Sequence, residues 1–318
     1  MGCESQLQIP VIEFTRDLLR GTDGWQSLCK RVREACESFG CFEVVYDKIS
    51  SHLRDETFSL IKELCNLPVE TKRKNFTSKP LHGYYEPGGE FLPFYESFGL
   101  DDASNCNSVR SFAELMWPTG HDHFCKTINK LMKELEELSH MIGLMILDGY
   151  GLGEKPESMM RHYQLLRVMK YLAPPSGECT EVAMAHTDKF SSAILCENHI
   201  SGLEIKTKDG EWVKLVPSPS SFVFIVGDLL TAWSNGRMHA ANHTVKLSGK
   251  KERYSLGAFA VPVEGTIIKA PKEMVDQQHP QLFKDFDYMD FLNYAVSHQS
   301  LPIDNAKKLF IYAARPQP

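Results

Sequence analysis

The sequence predicts a mainly β core, a sandwich or jelly-roll barrel, flanked by helices, and three observations carry that prediction. From His162 onward, short apolar runs recur between turn signals such as "KDGE" and "SPSS". They include "YQLLRVMKYLA", "VAMAHTD", "SSAILCEN", "GLEIKTK", "EWVKLV", "SFVFIVG", "ANHTVKL" and "RYSLGAFAVPV". Ahead of them short strand-like runs alternate with segments of helical period, and after Pro271 the chain turns helical again in "FDYMDFLNYAVSH" and "NAKKLFIYAA".

In chain order, "IPVIEF" (Ile9–Phe14) reads as a strand. The next segment carries Leu28, Val32, Ala35, Cys36 and Phe39 on one helical face and stops at Gly40. "CFEVVY" is a strand, and "SSHLRDETFSLIKELCNLP" is an amphipathic helix with Ser51 as its expected cap and Pro68 beyond its end. An irregular loop, "HGYYEPGGEFLPFYESFG", combines Gly and Pro with aromatics. A long helix is expected from about His123 to Asp148. The resulting division is an N-terminal region of helices and short strands over 1–120, then 121–318. The second part holds the long helix, the barrel (about 160–265) and the C-terminal helices. Neither an internal repeat nor a linker interrupts the 318 residues, so the N-terminal helices are expected to pack on the barrel.

A formal net charge of −6 argues against a general nucleic-acid binder, which normally presents a basic face. No apolar run approaches a membrane span, and no secretory segment opens the chain. Nine cysteines without C-x-x-C spacing fit reduced thiols in a cytoplasmic protein, and a monomer is expected. The opening "MGCESQ" has Gln6 where a myristoylation signal wants Ser or Thr, so no lipid anchor is expected.

The chemistry-bearing residues are scattered. "AHTD" places His186 and Asp188 two apart, which on a strand aims both side chains to one face. In "WSNGRMHAANHTV", His239 and His243 are four apart, a spacing that could share a metal on a helix. His243, on a later strand-like run, would complete a two-His, one-carboxylate set with His186 and Asp188, an arrangement that leaves metal positions open for reaction. Ten residues beyond it "RYS" puts Arg253 and Ser255 on one strand face, able to grip a carboxylate. Tyr171 could add a hydroxyl. "HDH" at His121–His123 falls at a helix start, where polar residues are expected anyway. Each piece alone is unspecific; their joint order is not.

In that order and spacing the chain resembles the plant 2-oxoglutarate/Fe(II)-dependent dioxygenases. The resemblance rests on "HTD", "WSNGRMHAANHTV" and "RYSLGAF", extended by "ACESFGCFEVV", "DGEWVKLVPSPSSFVFIVGDLLTAWSNG" and "HPQLFKDFDYMDFL". Through "LMWP", "FCKTI", "LLRVMKY" and "HTDK" it is most similar to the AOP-like (alkenyl hydroxalkyl producing) branch. The resemblance implies a double-stranded β-helix (jelly-roll) core, with Fe(II) held by His186, Asp188 and His243. It also implies 2-oxoglutarate as co-substrate, held by Arg253, Ser255 and Tyr171. O2 is consumed, succinate and CO2 are released, and ascorbate is expected to be supportive. His239 is not carried over as a ligand. Two departures stand out: Met169 where the family often has Asn, and Thr244 where it commonly has Arg.

The expected substrate is a small, largely hydrophobic plant specialised metabolite, oxidised by hydroxylation, desaturation, dealkylation or ring formation. Its pocket is assigned to Tyr84, Tyr85, Phe91, Phe94, Arg167 and Phe259, because small-molecule sites are mostly apolar with a few polar groups. Oxidation of a plant hormone, or a non-catalytic barrel that binds a metal or ligand, are the alternatives.

Overall fold

The computed structural model describes residues 8–15, 18–89, 92–155, 159, 161–298 and 304–316. Strand β1 (Val11–Phe14), helix α1 (Asp23–Ser38) and strand β2 (Cys41–Tyr46) form a unit in which β1 and β2 pair parallel. The Thr22 side chain caps α1 by accepting from the Trp25 amide, and α1 buries Trp25, Cys29, Val32, Ala35 and Cys36 on one face. Helix α2 (Ser51–Cys65) starts one residue earlier than expected: Ser50, not Ser51, accepts from the Leu53 amide and is the cap. With two serines in a row, either could turn its hydroxyl inward; extended backbone at Ser50 decides it.

The short helix α3 (Val69–Lys72), strand β3 (Tyr95–Leu100) and helix α4 (Cys106–Met116) lead into the long helix α5 (Asp122–Gly149). Then follow β4 (His162–Tyr171), β5 (Thr180–His186), β6 (Ser192–Glu197), β7 (Leu203–Lys206), β8 (Trp212–Lys214) and β9 (Ser221–Val226). A helix that the sequence reading did not anticipate, α6 (Asp228–Trp233), precedes β10 (His243–Leu247) and β11 (Arg253–Pro262). The strands β12 (Ile267–Ile268) and β13 (Phe286–Asp287) pair, and α7 (Tyr288–Ser297) and α8 (Lys308–Ala313) close the chain.

The strands form a seven-stranded sheet, ordered β1-β2-β9-β6-β11-β4-β3, and a four-stranded sheet, ordered β5-β10-β7-β8. Side-chain alternation gives the larger sheet two different faces. On the outer face Phe42, Phe222, Phe224, Leu166, Val168 and Leu256 join one core with the buried sides of α1, α2, α4 and α5. On the inner face Met169, Tyr171, Val223 and Ile225 pack against Val182, Leu203, Ile205 and Val245 of the smaller sheet. The two sheets therefore face one another with apolar side chains between them. A third cluster joins Leu165, Phe190, Phe259 and Val261 to α7 and α8, so the C-terminal helices plug one side of the barrel.

Among the described residues no helix is long and apolar enough to cross a membrane.

Candidate active site

His186 ends β5 and His243 begins β10, and the two are direct partners across the antiparallel pair. Their rings lie 4.3 Å apart between centroids. Each ring is fixed the same way: His186 Nδ1 is 2.8 Å from the Met184 carbonyl, and His243 Nδ1 is 3.0 Å from the Ala241 carbonyl. A carbonyl can only accept, so the proton sits on Nδ1 and the Nε2 lone pairs are left to point at a third group. That group is Asp188, whose Oδ1 lies 3.8 Å from His186 Nε2 and 3.9 Å from His243 Nε2. Asp188 is not on the strand, as the two-residue spacing suggested. The strand stops at His186, and Asp188 belongs to the turn that follows.

That turn is held firmly. The Asp188 carbonyl accepts from the Asp228 amide at 2.8 Å, where α6 begins. A Cβ on Gly227 would come within 2.2 Å of the Phe190 carbonyl oxygen and 3.1 Å of that of Asp188, so only glycine lets α6 approach so closely. Lys189 next to it donates to Thr187 Oγ1 (2.7 Å), Asp228 Oδ2 (2.7 Å) and the Asn305 carbonyl (2.9 Å), which ties the turn to the C-terminal segment.

The ligand atoms of His186, Asp188 and His243 all lie within 4.8 Å of one another. Burial, reinforced by the neighbouring His243 and opposed by Asp188, lowers the His186 pKa to about 4, so its imidazole is neutral near neutral pH. Asp188 is buried, and its Oδ2 has no hydrogen-bond partner. A buried carboxylate with one oxygen facing two imidazole nitrogens and the other unpartnered is costly unless a cation satisfies it. Two nitrogens and one carboxylate suit Fe(II), so the donor set fits the metal that the sequence implied.

His239 lies apart from this cluster. Its amide donates to the Cys36 carbonyl at the end of α1, and its ring is depressed in pKa by burial and by Lys208. His121 caps α5 through Phe124 and reaches Glu63 at 3.1 Å, while His123 faces Glu56 at 3.3 Å. None of the three joins the group of ligand atoms formed by His186, Asp188 and His243.

On the inner face of the larger sheet Arg253 pairs in register with Tyr171, and Ser255 stands between Met169 and Glu197. The Arg253 guanidinium lies 4.9 Å from the Tyr171 ring centre and donates to Ser255 Oγ at 3.2 Å and to the Ile200 carbonyl at 3.1 Å. It also donates to Glu197 Oε2 at 2.7 Å, a buried ion pair that the sequence reading missed. Burial pushes the Tyr171 phenol up to about 12, with Arg253 opposing, so Tyr171 remains a neutral donor. Its hydroxyl now reaches Met169 Sδ at 3.6 Å, a weak acceptor where an amide side chain would have given a strong partner.

The expected pocket residues divide. Tyr85 and Phe94 pack against the core between the sheets, and Phe259 belongs to the C-terminal cluster, edge-on to Phe190 at 5.8 Å. Arg167 is buried on the inner face of β4. Tyr84 instead packs with the outer core, donating to Glu96 at 2.7 Å and lying 4.9 Å from the Phe98 ring, so it does not join the others. Phe91 lies outside the described residues.

Comparison with known proteins agrees with this geometry. Residues 159–262 match the 2OG-Fe(II) oxygenase superfamily, and residues 9–105 match the N-terminal family described as non-haem dioxygenase in morphine synthesis. The chain is 40% identical over 295 residues to the probable 2-oxoglutarate-dependent dioxygenase AOP1.2 of Arabidopsis thaliana, covering 90% of each. Among solved structures it resembles the rice dioxygenase for auxin oxidation, with a TM-score of 0.81 and 29% identity over 96% of this chain and 100% of that one. The 2-oxoglutarate complex of the Arabidopsis thaliana enzyme AtDAO1 gives a TM-score of 0.78 at 27% identity, covering 86% and 100%. These neighbours imply a double-stranded β-helix for the two facing sheets. With His186, Asp188 and His243 gathered at one end of that core, the chain belongs to the 2OG-Fe(II) oxygenase superfamily and is a 2-oxoglutarate-dependent oxidoreductase.

Proposed function

We propose that the chain oxidises a small, largely hydrophobic plant specialised metabolite, with His186, Asp188 and His243 as the Fe(II) ligands. The observation that carries this reading is the meeting of three ligand atoms within 4.8 Å of one another, one of them from a buried carboxylate that has an unpartnered oxygen. Fe(II) held there supplies the redox chemistry that couples O2 to oxidative decarboxylation of 2-oxoglutarate and to oxidation of the substrate. The protein's own part is geometric and electrostatic. The Met184 and Ala241 carbonyls orient the two imidazoles, and α6 with Lys189 holds the Asp188 turn.

Arg253 receives the distal carboxylate of 2-oxoglutarate. Of its five N–H donors three are used, on Ile200, Ser255 and Glu197, and the others remain for the co-substrate. Ser255 and Tyr171 add hydroxyl donors. Tyr85, Phe94 and Phe259 furnish apolar and aromatic surface for the substrate. Ascorbate as a supporting reductant, a monomeric state and a cytoplasmic location complete the reading.

The AOP1.2-like similarity supports specialised metabolism. A second reading, oxidation of a plant hormone, is favoured by likeness to two dioxygenases for auxin oxidation over 86% and 96% of this chain. Succinate release measured over a panel that includes both classes, with product masses, decides between them. Asp188 supplies the carboxylate whose replacement by a small residue would open a position for chloride on a bound metal. Products therefore gain oxygen or lose hydrogen even in excess chloride. A chlorinated main product would overturn the reaction class.

A further inference from the structure

Arg167 is a buried cation that the chemistry above does not use. Leu165, Arg167, Met169 and Tyr171 share one face of β4. Leu165 belongs to the C-terminal core, whereas Met169 and Tyr171 belong to the core between the sheets. A guanidinium only 8% exposed thus stands between two apolar clusters inside the barrel.

Its three hydrogen bonds go to neutral acceptors: the Leu81 carbonyl at 2.8 Å, the Tyr95 hydroxyl at 3.1 Å and Ser97 Oγ at 2.7 Å. Nε has no partner, and one further N–H is unused. The contrast with Arg253, Lys72 and Lys189 is chemical, since each of those buried cations meets a carboxylate at 2.7 Å or less. Arg54 is also buried without one and its Nε is likewise unpartnered, but its two hydrogen bonds go to backbone carbonyls at 2.8 and 2.9 Å on the outer side of the sheet, over Phe222, away from the space between the sheets.

The Tyr95 and Ser97 hydroxyls accept from Arg167, so their own protons remain to be donated. Tyr95 is 8% exposed and Ser97 is fully buried. Three donor side chains therefore converge on the inner face, with no described acceptor for their spare protons. A buried charge left in this state is costly, and an incoming anion would relieve it.

The place suits a substrate. Phe190, two residues past Asp188, lies 5.8 Å from Phe259 and 5.9 Å from His82, the residue after the Leu81 carbonyl that Arg167 holds. A Cβ on Gly99, beside Arg167 in register, would come within 1.9 Å of the His82 carbonyl oxygen. The 81–82 loop can lie against the barrel there only because residue 99 is glycine. Packed aromatic rings thus join Phe190, two residues along from Asp188, to the 81–82 loop that Arg167 holds.

We propose that Arg167, Tyr95 and Ser97 receive an anionic head group of the organic substrate, a carboxylate, making that substrate a small aromatic or aliphatic carboxylic acid. This deepens the function proposed above and rests on it. The aromatic surface takes the apolar body, and the charge at Arg167 fixes which carbon faces the metal.

The test is calorimetric titration of the enzyme holding Fe(II) and 2-oxoglutarate, under argon. The probes are phenylacetate, indole-3-acetate and hydrocinnamate, each beside its neutral amide, with phenylmethanesulfonate as a second anion. At least one acid is expected to bind about tenfold or more tighter than its amide, as a charge-assisted pair at a buried site implies. R167M removes that preference and leaves 2-oxoglutarate affinity within about twofold, since Arg253 holds the co-substrate. Should R167M fail to fold, Y95F and S97A, which leave the Leu81 contact intact, each narrow the acid-to-amide ratio. Equal binding of acids and amides overturns the proposal, as does a preference that survives in these variants. Tighter binding of the sulfonate overturns the carboxylate assignment. Wild-type enzyme that takes up no 2-oxoglutarate contradicts the proposed function, whereas uptake without acid preference contradicts this inference alone.

Discussion

His243→Ala loses 2-oxoglutarate-coupled turnover by more than about a hundredfold, the most that changes outside the ligand set usually cost, whereas His239→Ala keeps most of it. The asymmetry follows from geometry. His243 Nε2 faces Asp188 from 3.9 Å, and its Nδ1 proton is committed to the Ala241 carbonyl. His239 is fastened by its amide to α1. Succinate release with Fe(II) added to saturation measures both variants. Equal loss in the two would mean that the local fold, and not ligation, was disturbed.

Arg253→Lys raises the KM for 2-oxoglutarate about ten- to a hundredfold, from the roughly 1.5–3 kcal/mol carried by a hydrogen bond to a charged group. A lysine has one nitrogen where Arg253 uses three to bind Ile200, Ser255 and Glu197 at once. The co-substrate would then compete with Glu197 for a single ammonium. Initial rates against 2-oxoglutarate concentration show this as a rise in KM that exceeds the fall in kcat. An unchanged KM would remove Arg253 from the co-substrate site.

Much of this was legible in the sequence, and what was not has physical causes. Strand alternation correctly put Arg253 and Ser255 on one face, because β11 is regular over its ten residues. The same rule gave the right partner for His186 by the wrong route. Asp188 reaches it from a turn whose shape depends on α6 and Gly227, far along the chain, and on the distant groups that the adjacent Lys189 holds. Glu197 was missed because its role depends on register: only the pairing of β6 with β11 sets it beside Ser255 and within reach of Arg253. Tyr84 and Tyr85 show how one residue of phase matters. Tyr85 bridges to Ser97 and lies on the inner side, so its neighbour is turned outward to Glu96. Helix α6, six residues long, is too short to show a helical period at all.

The central claim, that His186, Asp188 and His243 hold the iron together, is tested most directly by counting metal. Anaerobic titration of the wild-type chain with Fe(II) is expected to give one high-affinity ion per chain. Asp188→Gly leaves two protein ligands and should bind Fe(II) at least about a hundredfold more weakly, with 2-oxoglutarate uptake falling in step. Unaltered Fe(II) affinity in that variant would show that Asp188 only packs near the metal, and would contradict the account.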